Sequence, residues 1–294
     1  MNQKIENKIE PGSVSSKKNK KAEWKKNIKI AIAMLLVATI SIVGTLAFLA
    51  ANSSKKENTF TGSTGISVEL TEPGWTKITT DAIAQGEEMA ESYTPKMVIP
   101  KDPRLTNNSD ADCDEWVAMR VEYIYDGSET NLTTLQDTVI ETLAIDTTNW
   151  YKLSTVKNKT DSETETTNYD IYIYKRKVSR TTTTSGGNST VTEGSTSNLF
   201  NQVVIKDQKA LKTNSVFDSN NNKYKDFKIT LYGAAIKNDA SIPSNLSEIN
   251  SNVREKTINM DKLSDLLTAA QAADTKDYSY IIALSLAELL KPSS

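Results

Sequence analysis

The stretch WVAMRVEYIY, residues 116–125, decides the fold. Val117, Met119, Val121, Tyr123 and Tyr125 fall on one side of an extended chain, Arg120 and Glu122 on the other, which is the period of two of a half-buried β-strand. Upstream, TGISVELT (residues 64–71) repeats the pattern with Ile66, Val68 and Leu70. Downstream, residues 150–153 and 169–178 read as two strands joined in a long hairpin across the polar tract NKTDSETETTN. Residues 200–205 and 227–236 supply two more, with the turn-forming DSNNNKYKD ahead of the second. Six or seven strands between turn signals predict a mainly β protein, an antiparallel β-sandwich with peripheral helices, rather than alternating βαβ units.

The helical signals lie around that set. Leu132, Leu135, Val139 and Leu143 recur at helical spacing and predict an amphipathic helix over residues 130–143. Residues 79–92 read as a short helix or a loop with helical turns. Ile258, Leu263, Leu266 and Leu267, then residues 281–290, predict C-terminal helices, the last too short to span a membrane. Residues 180–198 are Ser, Thr and Gly with almost nothing apolar, and are expected to form a mobile loop that cannot offset its ordering entropy. The β-sandwich domain is therefore placed at residues 66–240, with a helical segment at 241–294, and no internal repeat is visible.

Ahead of the domain the chain changes character. Residues 1–29 form a basic segment expected to stay in the cytoplasm, with seven lysines and one glutamate between Lys17 and Lys29. Residues 30–51 contain no charge over 22 positions, about 33 Å as a helix, enough to cross a hydrocarbon core of about 30 Å. They read as a signal or transmembrane helix that carries the remainder across a membrane. Small residues at Thr45 and Ala47 mark a signal-peptidase site with Phe48 as the first residue of the product, while the length of the run also suits an uncleaved anchor. Residues 52–65 then read as a flexible segment. Cleavage would leave 26 of the 35 basic and 34 of the 37 acidic side chains, a formal net of −8, so no nucleic-acid partner is expected.

The chemistry is bounded by what is missing. Histidine is absent from all 294 residues, which excludes histidine triads, HExxH zinc sites and imidazole-ligated iron or copper within this chain. Cys113 is the single cysteine, so there is no intrachain disulfide and no thiolate cluster, and it reads as a small hydrophobe at a strand start. Gly186 and Gly187 lie in a Ser/Thr tract without the residues of a phosphate cradle. No catalytic residue and no cofactor is indicated. Asp110, Asp112 and Asp114, and likewise Asp218, Asn220 and Asn222, fall on alternate positions as at the opening of a calcium loop, but neither set has the glycine or the glutamate that completes one.

The order of these signals resembles the SipW-type exported proteins of Gram-positive bacteria, a family that includes the biofilm fibre protein TasA and camelysin. Gly44-Thr45-Leu46-Ala47-Phe48 at the processing site, Asn58-Thr59-Phe60-Thr61, and Ile66-Ser67-Val68-Glu69-Leu70-Thr71-Glu72-Pro73 carry the likeness. So do Pro100-Lys101-Asp102-Pro103 with Thr106-Asn107, Asp112-Cys113 before the strand at 116–125, and the closing strand at 227–235. The resemblance implies a jelly-roll-like sandwich, a dedicated signal peptidase as partner, and a place on the cell surface or in the extracellular matrix. The chain departs from the family in its long N-terminal extension and in the helices after Ile258. Camelysin's metallopeptidase activity has no histidine here to receive it.

The expected function is that of an exported, non-enzymatic surface or matrix protein, with a TasA-like fibre subunit as its sharpest form. Its partners would be the membrane before processing, the signal peptidase, and other copies or matrix proteins afterwards. Residues 48–65 would add as a strand to a neighbour's sheet edge, with Phe60 as apolar anchor. A camelysin-like secreted metallopeptidase and a membrane-anchored adhesin or interaction module are the alternatives.

Overall fold

A computed structural model describes residues 50–53, 66–75, 86–159, 164–219 and 223–292. These described residues belong to one compact unit. The elements are, in chain order, β1 (Ala50–Ser53), β2 (Val68–Thr71), α1 (Gly86–Glu91), β3 (Val98–Pro100), β4 (Arg104–Asn107), β5 (Cys113–Tyr125), β6 (Ser128–Thr130), α2 (Leu132–Thr138), β7 (Ile140–Leu143) and β8 (Trp150–Lys152). There follow β9 (Ser154–Lys159), β10 (Thr164–Thr166), β11 (Tyr169–Tyr174), β12 (Val178–Ser185), β13 (Asn188–Glu193), β14 (Gln202–Ile205), α3 (Gln208–Thr213), β15 (Phe217–Asp218), β16 (Lys223–Tyr224) and β17 (Phe227–Lys237). The chain closes with β18 (Thr257–Asn259), α4 (Leu263–Ala272) and α5 (Tyr278–Leu290). The protein is mainly β and its sheets are antiparallel, apart from the parallel pair β9–β18.

Strand β5 organises the rest. One edge pairs with β17 over its whole length from Tyr125 opposite Phe227 to Glu115 opposite Lys237. The other edge is shared in turn by β12, β11 and β6. The β5–β6 hairpin closes through Asp126 (φ 50°) and Gly127 (φ 77°), the left-handed pair of a type I′ turn that suits the twist of the flanking strands.

Both faces of this sheet are covered. Val117, Met119, Val121 and Tyr123 face a cluster built with Val68 of β2, Leu105 of β4, and the β3–β14–β7 sheet. Trp116 and Ala118 face the opposite way, against Ile171, Ile173, Ala234 and the buried side of α5. The helix is buried nearly all round, with Ile282, Ala283, Leu284, Leu286 and Ala287 at no exposure. An apolar helix of that kind belongs inside a structure, so α5 is a core element and not a peripheral one. Arg120, predicted on the polar side of β5, is correspondingly buried. Its guanidinium donates to the Leu290 carbonyl at the end of α5, pairs with Glu122 at 2.9 Å, and lies 4.0 Å over the Tyr232 ring. A cation there also meets the negative end of the helix dipole.

Several boundaries differ from expectation. The helix predicted over residues 130–143 ends at Thr138, and Ile140–Leu143 is strand β7, paired with β14. Asn131 caps its start by accepting from the Thr134 N–H. Ile258 lies in β18 rather than in a helix. The hairpin predicted between residues 150 and 178 is present, but it bends at Leu153 so that β8 pairs with β11 while β9 joins a separate sheet. Ala50 and Ala51, expected at the end of the apolar helix, and Asn52 and Ser53, expected in a flexible segment, form β1 opposite residues 233–236 of β17.

The largest correction concerns residues 180–198. Residues 180–193 of that stretch form the β12–β13 hairpin, turned by Gly186 (φ 59°) and Gly187 (φ 84°) and paired from Ser185–Asn188 to Arg180–Glu193. The missing apolar residues suggested disorder, yet threonine favours extended backbone, Gly-Gly supplies a type I′ turn, and residues 178–180 anchor the ribbon to β5.

Arg120→Ala removes a buried cation on which Glu122 and the α5 carbonyl both depend. The expected loss of unfolding free energy is roughly 3 kcal/mol in urea denaturation. A loss below about 1 kcal/mol, the size of an ordinary exposed ion pair, would show that α5 is held by apolar packing alone.

Candidate functional site

A groove runs beside β17 between the two layers. Its volume is about 530 Å³, and its walls include Leu70, Trp75, Ile99, Val203 and residues 227–231 of β17. Glu87, Glu91 and Lys228 also line it, together with the paired Glu72 and Lys101. Strand β1 pairs with β17 only from Gly233 to Ile236. Among the described residues no strand pairs with the same edge from Phe227 to Tyr232. An apolar groove along an open strand edge can receive an extended segment, with main-chain hydrogen bonds supplying affinity and the groove selecting alternate side chains.

The floor of the groove is a clasp between two segments far apart in sequence. Lys101 Nζ lies 2.9 Å from Glu72 Oε1 and 4.1 Å from the centre of the Trp75 ring, with its side chain 5% exposed. Burial pushes the Lys101 amine down from its ordinary pKa while the Glu72 carboxylate works against that shift. The Asp102 carboxylate accepts from the Gly74 N–H at 2.6 Å, and Gly86 donates to the Gly74 carbonyl at 3.1 Å. Gly86 has no alternative, since a Cβ there would stand 2.0 Å from the Pro100 carbonyl oxygen. At the far end Phe227 packs against Tyr93, ring centres 5.3 Å apart, and the Tyr93 hydroxyl donates to the Lys225 carbonyl. Lys101 is thus held by an ion pair and an aromatic face where it lines the groove.

A second polar cluster lies at the start of β5. Glu115 follows the inward parity of Val117 and Met119 and is fully buried. Its Oε1 accepts from Ser109 Oγ at 2.5 Å and lies 3.9 Å from Cys113 Sγ. Asn107, also fully buried, donates to the carbonyls of Cys113 and Val178. Burial pushes the Glu115 carboxyl up to about 7, the Ser109 hydrogen bond pulling partly against it. Sequence reasoning missed this residue although the signal was present: extending the alternation of 117–125 back by one step places Glu115 on the core face.

The residues singled out in the sequence are placed as follows. Thr45, Ala47, Phe48 and Phe60, with nearly all of the expected export helix, lie outside the described residues, as do Asn220 and Asn222. Asp112 accepts from the Thr182 N–H and hydroxyl at 2.8 and 2.7 Å, and Asp114 accepts from Ser179 Oγ and pairs with Lys177 at 3.1 Å. Both carboxyls are held below the usual range, first by those hydroxyl hydrogen bonds. They pin β12 to β5, and Asp110 is exposed beside them. Among the described residues no three acidic or thiol side chains are grouped to hold a metal ion, and no helix is long and apolar enough to cross a membrane.

Comparison with known protein families, with curated proteins and with solved structures finds no match. Within the clasp, the stretches Glu72-Pro73 and Pro100-Lys101-Asp102-Pro103 meet through the Lys101–Glu72 pair and the Asp102–Gly74 hydrogen bond.

Glu115 also sets a pH dependence. Its folded pKa is raised above the unfolded 4.5 to about 7, so its contribution to stability is fully present below about 4.5 and is lost as pH rises through 7. The unfolding free energy is expected to fall by roughly 3 kcal/mol across that window. The depressed carboxyls Asp112 and Asp114 act only at lower pH. Glu115→Gln should flatten the profile between pH 4.5 and 7, and an unchanged slope in that variant would assign the titration elsewhere.

Proposed function

We propose that this chain is an exported, non-enzymatic surface or matrix protein of the SipW-type family, a jelly-roll-like β-sandwich that assembles in the TasA-like manner by strand addition. The single observation that carries this reading is the groove beside β17, along an edge with which no described strand pairs beyond the point where β1 stops. A donor segment that continued the register in which Ser53 stands opposite Gly233 would bring Lys55 opposite Leu231 and Phe60 level with Asp226. A segment from another copy can satisfy the same register by displacing the four residues of β1, which makes exchange between copies inexpensive in pairing energy. The charge-free run at 30–51 and its basic flank support export, and the absence of histidine supports a role without imidazole chemistry.

The test is to recover the protein from culture medium and from cell envelopes, determine its N-terminus and mass, and examine both fractions by electron microscopy. A released species beginning at Phe48 that forms filaments is the expected result. Deleting residues 54–60, which leaves β1 in place, should abolish the filaments while the protein stays folded. Undiminished filaments would reject the strand-addition role. An intact chain confined to the membrane would instead identify a tethered surface module.

A further inference from the structure

The β12–β13 hairpin is an ordered arm that covers nothing. Every residue from Thr181 to Glu193 is exposed. Its base is firmly held: residues 178–180 pair with β5, the Gly194 N–H donates to the Ser179 carbonyl at 2.7 Å, and Asp112 takes both donors of Thr182. Beyond that base only cross-strand contacts remain, such as Thr184 Oγ1 to Ser189 Oγ at 3.1 Å. A two-stranded ribbon exposed on both faces is marginal by itself in water.

The outer edge of β13 carries none of the usual protections. Among the described residues β13 pairs only with β12. Natural sheet edges are blunted by lysine, proline, bulges or inward charges. From Asn188 to Thr192 there is no charged residue and no proline, and the β12–β13 register runs without a shift. Val191, at 45%, is one of two large hydrophobic residues exposed among the described residues.

We infer that the β13 edge is a self-pairing surface, on which the β13 strands of two copies join antiparallel about a two-fold axis with Val191 opposite Val191. The pleat fixes this register. Ser185 and Asn188 flank a two-residue turn and exchange hydrogen bonds, so Asn188, Thr190 and Thr192 turn their main-chain groups toward β12, and Ser189, Val191 and Glu193 turn theirs outward. Outward groups must meet outward groups, which forbids Thr190 opposite Val191 and allows Val191 opposite Val191 with Ser189 opposite Glu193. That arrangement brings two exposed apolar side chains together and keeps the Glu193 carboxylates apart, whereas a parallel pairing would set them side by side. The contact is isologous, each copy presenting the same strand, and it merges two arms into a four-stranded ribbon. It uses a different edge from the β17 groove and does not rest on strand exchange.

The test uses the full-length protein carrying Cys113→Ser, with Val191→Cys or Thr181→Cys added and a short bifunctional thiol reagent. The expected result is a cross-linked homodimer from Val191→Cys and none from Thr181→Cys, which lies two strands from the axis. Val191→Lys, at an exposed position where the fold is untouched, should weaken dimerisation at least tenfold in analytical ultracentrifugation, and deletion of residues 54–60 should leave it unchanged. Equal cross-linking at both positions, a wild-type chain that stays monomeric at high micromolar concentration, or cross-links to a different protein alone would overturn the inference.

Discussion

A strand with both faces buried cannot carry a charge unless something inside the protein answers it, and Arg120 is that charge. Its partners come from β5 itself through Glu122, from β17 through Tyr232, and from the last residue of α5 through the Leu290 carbonyl. The guanidinium fork suits this position because it serves several acceptors in fixed geometry where an ammonium would act as a point charge. Everything behind the central sheet is arranged around that contact. Without the helix the back of β5 would expose Trp116 and Ala118, and without the arginine the helix would end on an unanswered carbonyl. The two-layer core in front then packs on a sheet already fixed from behind.

The sequence made the strands legible because side-chain alternation is a local property. Residues 116–125 announce themselves by period two and are found as a strand, as are residues 227–236, whereas the strand expected over residues 169–178 stops at Tyr174 and a new one begins at Val178. What the sequence obscured depends on partners. Ile140–Leu143 has apolar residues that suit a helix as well as a strand, and the pairing with β14 decides between them. Helix α5 looked like a small appendage because burial on every side leaves no polar stripe to mark a neighbour. The Thr-rich arm failed for the opposite reason: a ribbon held by main-chain pairing and a Gly-Gly turn needs no apolar side chains, so composition carries no sign of it.

The same contrast runs through the sites. Lys101 and Glu72 lie 29 positions apart and become one feature only when β2 and the segment after β3 are brought together. Their charges are spent on each other beside Trp75, which leaves Glu87, Glu91 and Lys228 to set the charge of the groove. Glu115 sits where a valine would satisfy the pattern, and it is tolerated because Ser109 and the cysteine at 113 line its pocket. The groove, the carboxyl pocket and the arm all touch β5 or its immediate neighbours, so a change in the central sheet would be felt at each.

The contact between Arg120 and Leu290 joins positions 170 residues apart, and the residue at its far end closes α5. A polypeptide that leaves a narrow channel with its N-terminus first would present β5 long before α5, and the back of the sheet would wait uncovered. The native state is then out of reach until α5 is free, and high separation of contacts slows the search further. Wherever the chain emerges N-terminus first, the front of the sheet has its partners before the back does.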